Sequence, residues 1–186
     1  MPLTSMVRHR YEIQTLATGF LRSDAHLQHM TAPARYARSL FDPTVVAELH
    51  QRMARLTPAS RPEWGKMSVG QMLAHCAIVM TDAVGDTRPP RMLIGRIIGP
   101  FARGRLTSNE PIEHNAPTDR KRLIPTDDRE VDAERARLLS LIDRFSAGGP
   151  QGVTTHPHSF FGPMTPEQWA IWMYKHIDHH LRQFGV

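Results

Sequence analysis

The sequence predicts an all-α fold, a four-helix bundle with one long crossover between its second and third helices. Three observations carry this. Four stretches place apolar residues at helical spacing, each begins near an Asp, Ser or Thr of the kind that caps helices, and no segment shows the period-two alternation of a half-buried strand.

The first helix opens at Asp42-Pro43, a capping residue followed by a proline at the first helical position. Val45, Val46, Leu49, Met53 and Leu56 continue it to about Leu56, where Thr57-Pro58-Ala59-Ser60-Arg61-Pro62 ends it. The second helix begins at Ser68, which with Gln71 forms a capping box. It carries Met72, His75, Val79 and Asp82 along one side and ends near Gly85. The third begins near Asp127 or Asp128, has Glu130 close to its first turn, and includes Val131, Leu138, Leu141, Ile142 and Phe145. Gly148-Gly149-Pro150 stops it. The fourth opens with a second capping box, Thr165-Pro166-Glu167-Gln168, and runs through Trp169, Trp172, Met173, His176, His180 and Phe184.

Residues 86–126 are an unusually long connection for a bundle, and a crossover of that length can join helices that are parallel rather than antiparallel neighbours. The apolar run Met92-Leu93-Ile94-Gly95-Arg96-Ile97-Ile98-Gly99-Pro100-Phe101 at its centre is expected to pack as a short helix over the bundle. Its glycines and shortness argue against a basic helix lying on a membrane surface. Residues 1–38 are rich in Arg and His with weak apolar periodicity, and are expected to be a disordered or wrongly assigned extension with Met30 as an alternative start. The domain proper is then 39–186.

A chain of 186 residues and 21.1 kDa suits one domain with a sizeable core. No apolar run approaches membrane-spanning length. One cysteine excludes an internal disulfide and fits a reducing cytoplasm, and Cys76 itself is read as a small buried hydrophobe. The net charge of +5 raises the question of nucleic acid, but the arginines are scattered and no recognition motif accompanies them.

The chemistry concentrates in histidines. His176 and His180 lie one turn apart on one helix face, a spacing at which two imidazoles can share one metal ion. His75 on the second helix is a candidate third ligand, which would leave a coordination position for water or substrate. The residues alone equally allow a solvated histidine-rich helix end and a core histidine satisfied by one hydrogen bond. His179 points about 100° away from His180, although a pair with His176 is open at three residues' spacing. Asp82, seven residues from His75, is a candidate orienting partner or general base. His179 and Gln183 are further candidates for a supporting shell.

The blocks Trp64-Gly65-Lys66-Met67-Ser68-Val69-Gly70-Gln71-Met72-Leu73-Ala74-His75-Cys76 and Lys175-His176-Ile177-Asp178-His179-His180-Leu181-Arg182-Gln183-Phe184-Gly185 resemble the DinB/YfiT-like metalloenzyme superfamily. More narrowly they resemble a bacterial branch of unknown function that shares the His156-Pro157 and Phe161-Gly162 segment. The resemblance covers residues 38–186 and implies a four-helix bundle with a crossover after the second helix. It also implies a divalent metal on one histidine of helix two and a His-x-x-x-His pair of the last helix, by position His75, His176 and His180. The stretch 156–162 is a residue or two longer than the branch's pattern, which counts against a role for His156 or His158 at a site entrance.

Some relatives in that superfamily are thiol-dependent transferases or hydrolases. The resemblance therefore implies a metal-dependent hydrolase or thiol transferase acting on a small molecule or a low-molecular-weight thiol. The alternative is a metal-binding or stress-related bundle without turnover. Zinc or nickel suits three imidazoles best, with iron or manganese also compatible. Neither nucleic acid nor membrane is expected as a partner, and homodimerisation through apolar helix faces is open.

Overall fold

In the computed structural model, residues 38–105, 108, 110–114, 119–127 and 129–186 are described. All but Arg38 of the expected extension, Met30 included, lies outside them. The described chain is all-α: α1 (Pro43–Ala54), α2 (Val69–Ala83), α3 (Leu93–Ala102), α4 (Arg120–Leu123), α5 (Val131–Gly148) and α6 (Pro166–Gln183).

Local chemistry sets where three of these begin. The Asp42 carboxylate accepts the Thr44 N–H at 2.8 Å, with Pro43 in the first turn of α1. Both capping boxes form. Ser68 Oγ accepts from Gln71 N while Gln71 Oε1 accepts from Ser68 N, and Thr165 and Gln168 repeat the exchange ahead of α6. The start expected near Asp127 or Asp128 falls instead at Val131, behind Glu130, whose side chain makes no capping bond. Asp127 is occupied elsewhere, accepting from Arg129 Nε at 3.2 Å.

Contacts along the helices fix their directions. Gly70, at the start of α2, lies against the Arg129 backbone just ahead of α5, and Arg144, late in α5, pairs at 2.8 Å with Asp86 just beyond α2. Helices α2 and α5 are therefore parallel, as the long crossover between them requires. Arg52 near the end of α1 reaches Asp178 near the end of α6 at 2.7 Å, and Leu40 N donates to Ala170 O at the other end, so α1 and α6 are parallel too. His75 of α2 meets His176 of α6 while Gly65, ahead of α2, abuts Gln183 at the end of α6, so this pair is antiparallel.

The four longer helices share one core, with Leu49, Met53, Leu73, Met80, Ile142, Phe145, Trp169 and Met173 all buried. Burying apolar surface at about 25 cal/mol per Å² supplies the main drive for this arrangement. The Arg52–Asp178 pair is itself buried, and Asp178 also accepts from Arg182 Nε at 2.9 Å. That carboxylate ties α6 to α1 rather than serving the histidines.

A helix does form in the apolar centre of the crossover, but it does not pack by its apolar side chains. Gly95 and Gly99 of α3 are buried, whereas Leu93, Ile97 and Phe101 are 79%, 70% and 87% exposed. Among the described residues no helix is long and apolar enough to cross a membrane.

Candidate metal centre

The Ser68 box fixes the start of α2, so His75 falls in its second turn, facing α6. His176 and His180 sit one turn apart on α6 and face it in return. The structure brings these three together: one nitrogen from each imidazole lies within 4.8 Å of the others. The closest pair, His75 Nε2 and His176 Nε2, is 3.0 Å apart. Ring centroids are 4.8 to 4.9 Å apart around the cluster. Two nitrogens bound to one ion at about 2.1 Å stand about 3.0 Å apart at a right angle and about 3.4 Å apart in a tetrahedron, so this spacing suits a shared cation.

Two of the three rings have their tautomer set by a neighbour. His75 Nδ1–H donates to the Leu123 carbonyl at 2.9 Å. His180 Nδ1–H donates to Gln183 Oε1 at 2.9 Å. Gln183 cannot offer its nitrogen there, because Nε2 donates to the Trp64 carbonyl at 2.6 Å. Both rings therefore carry a bare lone pair on Nε2.

His176 has no such support. Its Nδ1 is sealed from water and has no hydrogen-bond partner among the described residues. If Nδ1 holds the proton, the Nε2 lone pair opposes that of His75 at 3.0 Å. If Nε2 holds it, Nδ1 is a buried acceptor with nothing to accept. A cation between the rings resolves the first case, since it takes up both lone pairs.

The centre also resists protonation. Burial, followed by His75, pushes His180 down to about 3. Burial, then the neighbouring His180 and His75, holds His176 well below the usual imidazole range, and burial lowers His75 as well. Neutral imidazoles are the form that binds metal.

The supporting candidates separate. Gln183 is buried and orients His180. His179 turns to Trp64 and His114, with ring centroids 5.8 and 6.1 Å away. Burial, then His114, lowers its pKa, and its imidazole lies outside the three-nitrogen group. Asp82 forms no hydrogen bond with any of the three ligand candidates. Its carboxylate accepts from Arg122 Nη1 and Nη2 at 3.1 and 2.6 Å and from the Thr87 hydroxyl.

Two groups at the centre escaped sequence reasoning, the carbonyl oxygens of Leu123 and Trp64. Backbone acceptors leave no mark in a side-chain pattern. His156 and His158 are turn supports. His156 Nε2 bonds the Pro89 carbonyl at 2.9 Å, and His158 Nδ1 accepts from Phe160 N and Phe161 N at 3.1 and 3.2 Å.

Fold and site together define an all-α protein with a three-histidine cluster positioned to bind a metal ion. The chain belongs to the family described as "Protein of unknown function (DUF1569)", whose model matches residues 37–185. No curated protein and no solved structure matches it.

Proposed function

We propose that this is a metalloenzyme built on a four-helix bundle of the DinB/YfiT-like type, with α1, α2, α5 and α6 as the bundle and the segment through α3 and α4 as its crossover. His75, His176 and His180 hold a divalent ion, zinc or nickel by preference. The reaction is hydrolysis or thiol transfer on a small molecule. The observation that carries this reading is the convergence of three imidazole nitrogens, two with outward tautomers fixed by Leu123 and Gln183.

A bound divalent ion would lower the pKa of a water or thiol beside it and so supply a nucleophile near neutral pH. The protein's part is to keep the three rings neutral by burial and to hold two of them in one orientation. Three imidazoles match the ligand number of catalytic zinc sites, which keep a further position open.

A second reading, a metal that only stabilises the bundle, is favoured by the burial of His75 and His180, 3% and 7% exposed. Elemental analysis of tag-free protein beside His75→Ala and His176→Ala tests both. One metal ion per chain, lost in both variants, supports the centre, and turnover of thiol or ester substrates that disappears with the metal then favours the enzyme over the stabiliser. Wild-type protein that takes up neither zinc nor nickel on reconstitution would overturn the centre.

A further inference from the structure

Helix α3 is built inside out. With about 100° between successive residues, Leu93, Ile94, Ile97, Ile98 and Phe101 fall within an arc of roughly 140°, and Gly95 and Gly99 lie nearly opposite. The glycine side faces the protein. A Cβ on Gly95 would stand 2.6 Å from the Phe160 carbonyl oxygen, and one on Gly99 would be closer still to that atom. Only glycine lets the helix lie this flat on the 158–162 turn. Arg91 secures its start, donating to Gly95 O at 3.2 Å and Ser159 O at 3.3 Å, and Met92 N bonds Ser159 O at 2.9 Å.

Seating by glycine leaves every large side chain of the helix outward. Leu93, Ile94, Ile97, Ile98 and Phe101 are 79%, 50%, 70%, 45% and 87% exposed. They are the exposed large hydrophobics among the described residues, and they form one patch on one short helix rather than scattered singletons.

The segment that carries this patch is rich in arginine, and of its arginines Arg105 pairs with Glu113 at 2.8 Å. Residues 88–105 contain Arg88, Arg91, Arg96, Arg103 and Arg105 and no Asp or Glu. Arg88 and Arg96 are exposed and form no ion pair among the described residues. Arg96 lies about 60° beyond the Leu93 edge of the apolar arc, and its exposed side chain is available to a headgroup there. A two-fold contact between copies would set this arginine-rich rim against itself. An anionic lipid surface complements both features, taking the apolar face into the acyl boundary and the arginines among the headgroups.

We infer that α3 docks the protein onto anionic membrane surfaces, lying in the interface without crossing it. This departs from the sequence-based expectation of no membrane partner. The glycines and shortness that argued against a surface helix are what fasten it to a folded body, so the helix need not be long enough to stand alone.

The test is co-sedimentation of the full chain with vesicles of phosphatidylcholine and phosphatidylglycerol in equal parts, beside phosphatidylcholine alone. The protein should pellet with the anionic vesicles, much less with the neutral ones, and less as salt is raised. The double variant Ile97→Asp, Phe101→Asp should lose binding while keeping its helical circular dichroism and melting temperature. Arg96→Gln should weaken binding by about fivefold, the share of one arginine near such a surface. Failure to pellet with anionic vesicles overturns the proposal, as does equal pelleting of wild type and double variant. A concentration-dependent dimer that the double variant abolishes, in protein that ignores vesicles, would assign the face to self-association instead.

Discussion

The side-chain amide of Gln183 is locked by the carbonyl oxygen of Trp64, which accepts from Nε2 at 2.6 Å. The lock leaves Oε1 as the only atom that can face His180, and it accepts from Nδ1 at 2.9 Å. A backbone group on the strap before α2 thus sets the tautomer of a histidine on α6. Replacing Gln183 with Leu keeps the bulk and removes the acceptor. Metal affinity should fall by about 10- to 100-fold, the usual effect of losing the partner that orients a ligand. Titration with zinc under a competing chelator measures it, and unchanged affinity would show that packing alone orients His180.

Asp82 reaches the centre at one remove. It grips Arg122 through two bonds, and the next residue, Leu123, offers the carbonyl that receives His75 Nδ1–H. Asp82→Asn should weaken this clamp, lowering stability by at most about 1.5–3 kcal/mol, the range for a hydrogen bond to a charged group. Metal affinity should drop less than in His75→Ala. Nitrogen chemical shifts of the His75 ring should then report a mixture of tautomers, and a single unchanged tautomer would detach Asp82 from the centre.

The starts of α1, α2 and α6 were legible because caps are local, each settled within four residues by Asp42, Ser68–Gln71 and Thr165–Gln168. The start of α5 was misplaced because Asp127, a capping residue by type, is drawn to Arg129. Helix α3 was legible as a helix, but its buried side was not. Gly95 and Gly99 reveal their purpose only against Phe160, which arrives from a distant part of the chain. In the same way, spacing could place His176 with His180 but could not bring His75 to them. That meeting follows from α2 and α6 running antiparallel side by side, and the seven-residue spacing that suggested Asp82 as a partner for His75 could not foresee Arg122.

The cap of α6 offers a control. Thr165 Oγ1 accepts the Gln168 N–H at 3.2 Å, at the opposite end of the helix from His180. Thr165→Ala should remove about 1 kcal/mol of stability. Metal content should stay at the wild-type level, because the ligand end of the helix is secured by Gln183 and the core. A matching loss of metal in this variant, measured well below its melting temperature, would mean that the centre responds to general loosening and that ligand variants cannot be read as local.

Acid should weaken the metal-free fold through its buried histidines. His180 and His158 are both pushed down to about 3, first by burial and then by His75 for the one and Arg122 for the other. In the unfolded chain each imidazole titrates near its ordinary value of about 6.5. Between those two values the unfolded state binds protons that the folded state refuses, so unfolding becomes easier as pH falls. The stabilisation is complete above about 6.5 and is lost progressively toward about 3. Chelated protein should therefore melt at steadily lower temperature from about pH 7 to about pH 4, and His158→Gln should flatten the slope. Zinc at about a hundred times its dissociation constant should add about 2.7 kcal/mol at neutral pH. For a domain of this size that is a rise of about 5–10 °C in melting temperature, absent from His176→Ala. A melting temperature that ignores both pH and zinc would remove the histidine cluster from the energetics of the fold, and with it the reason to regard the cluster as a binding centre.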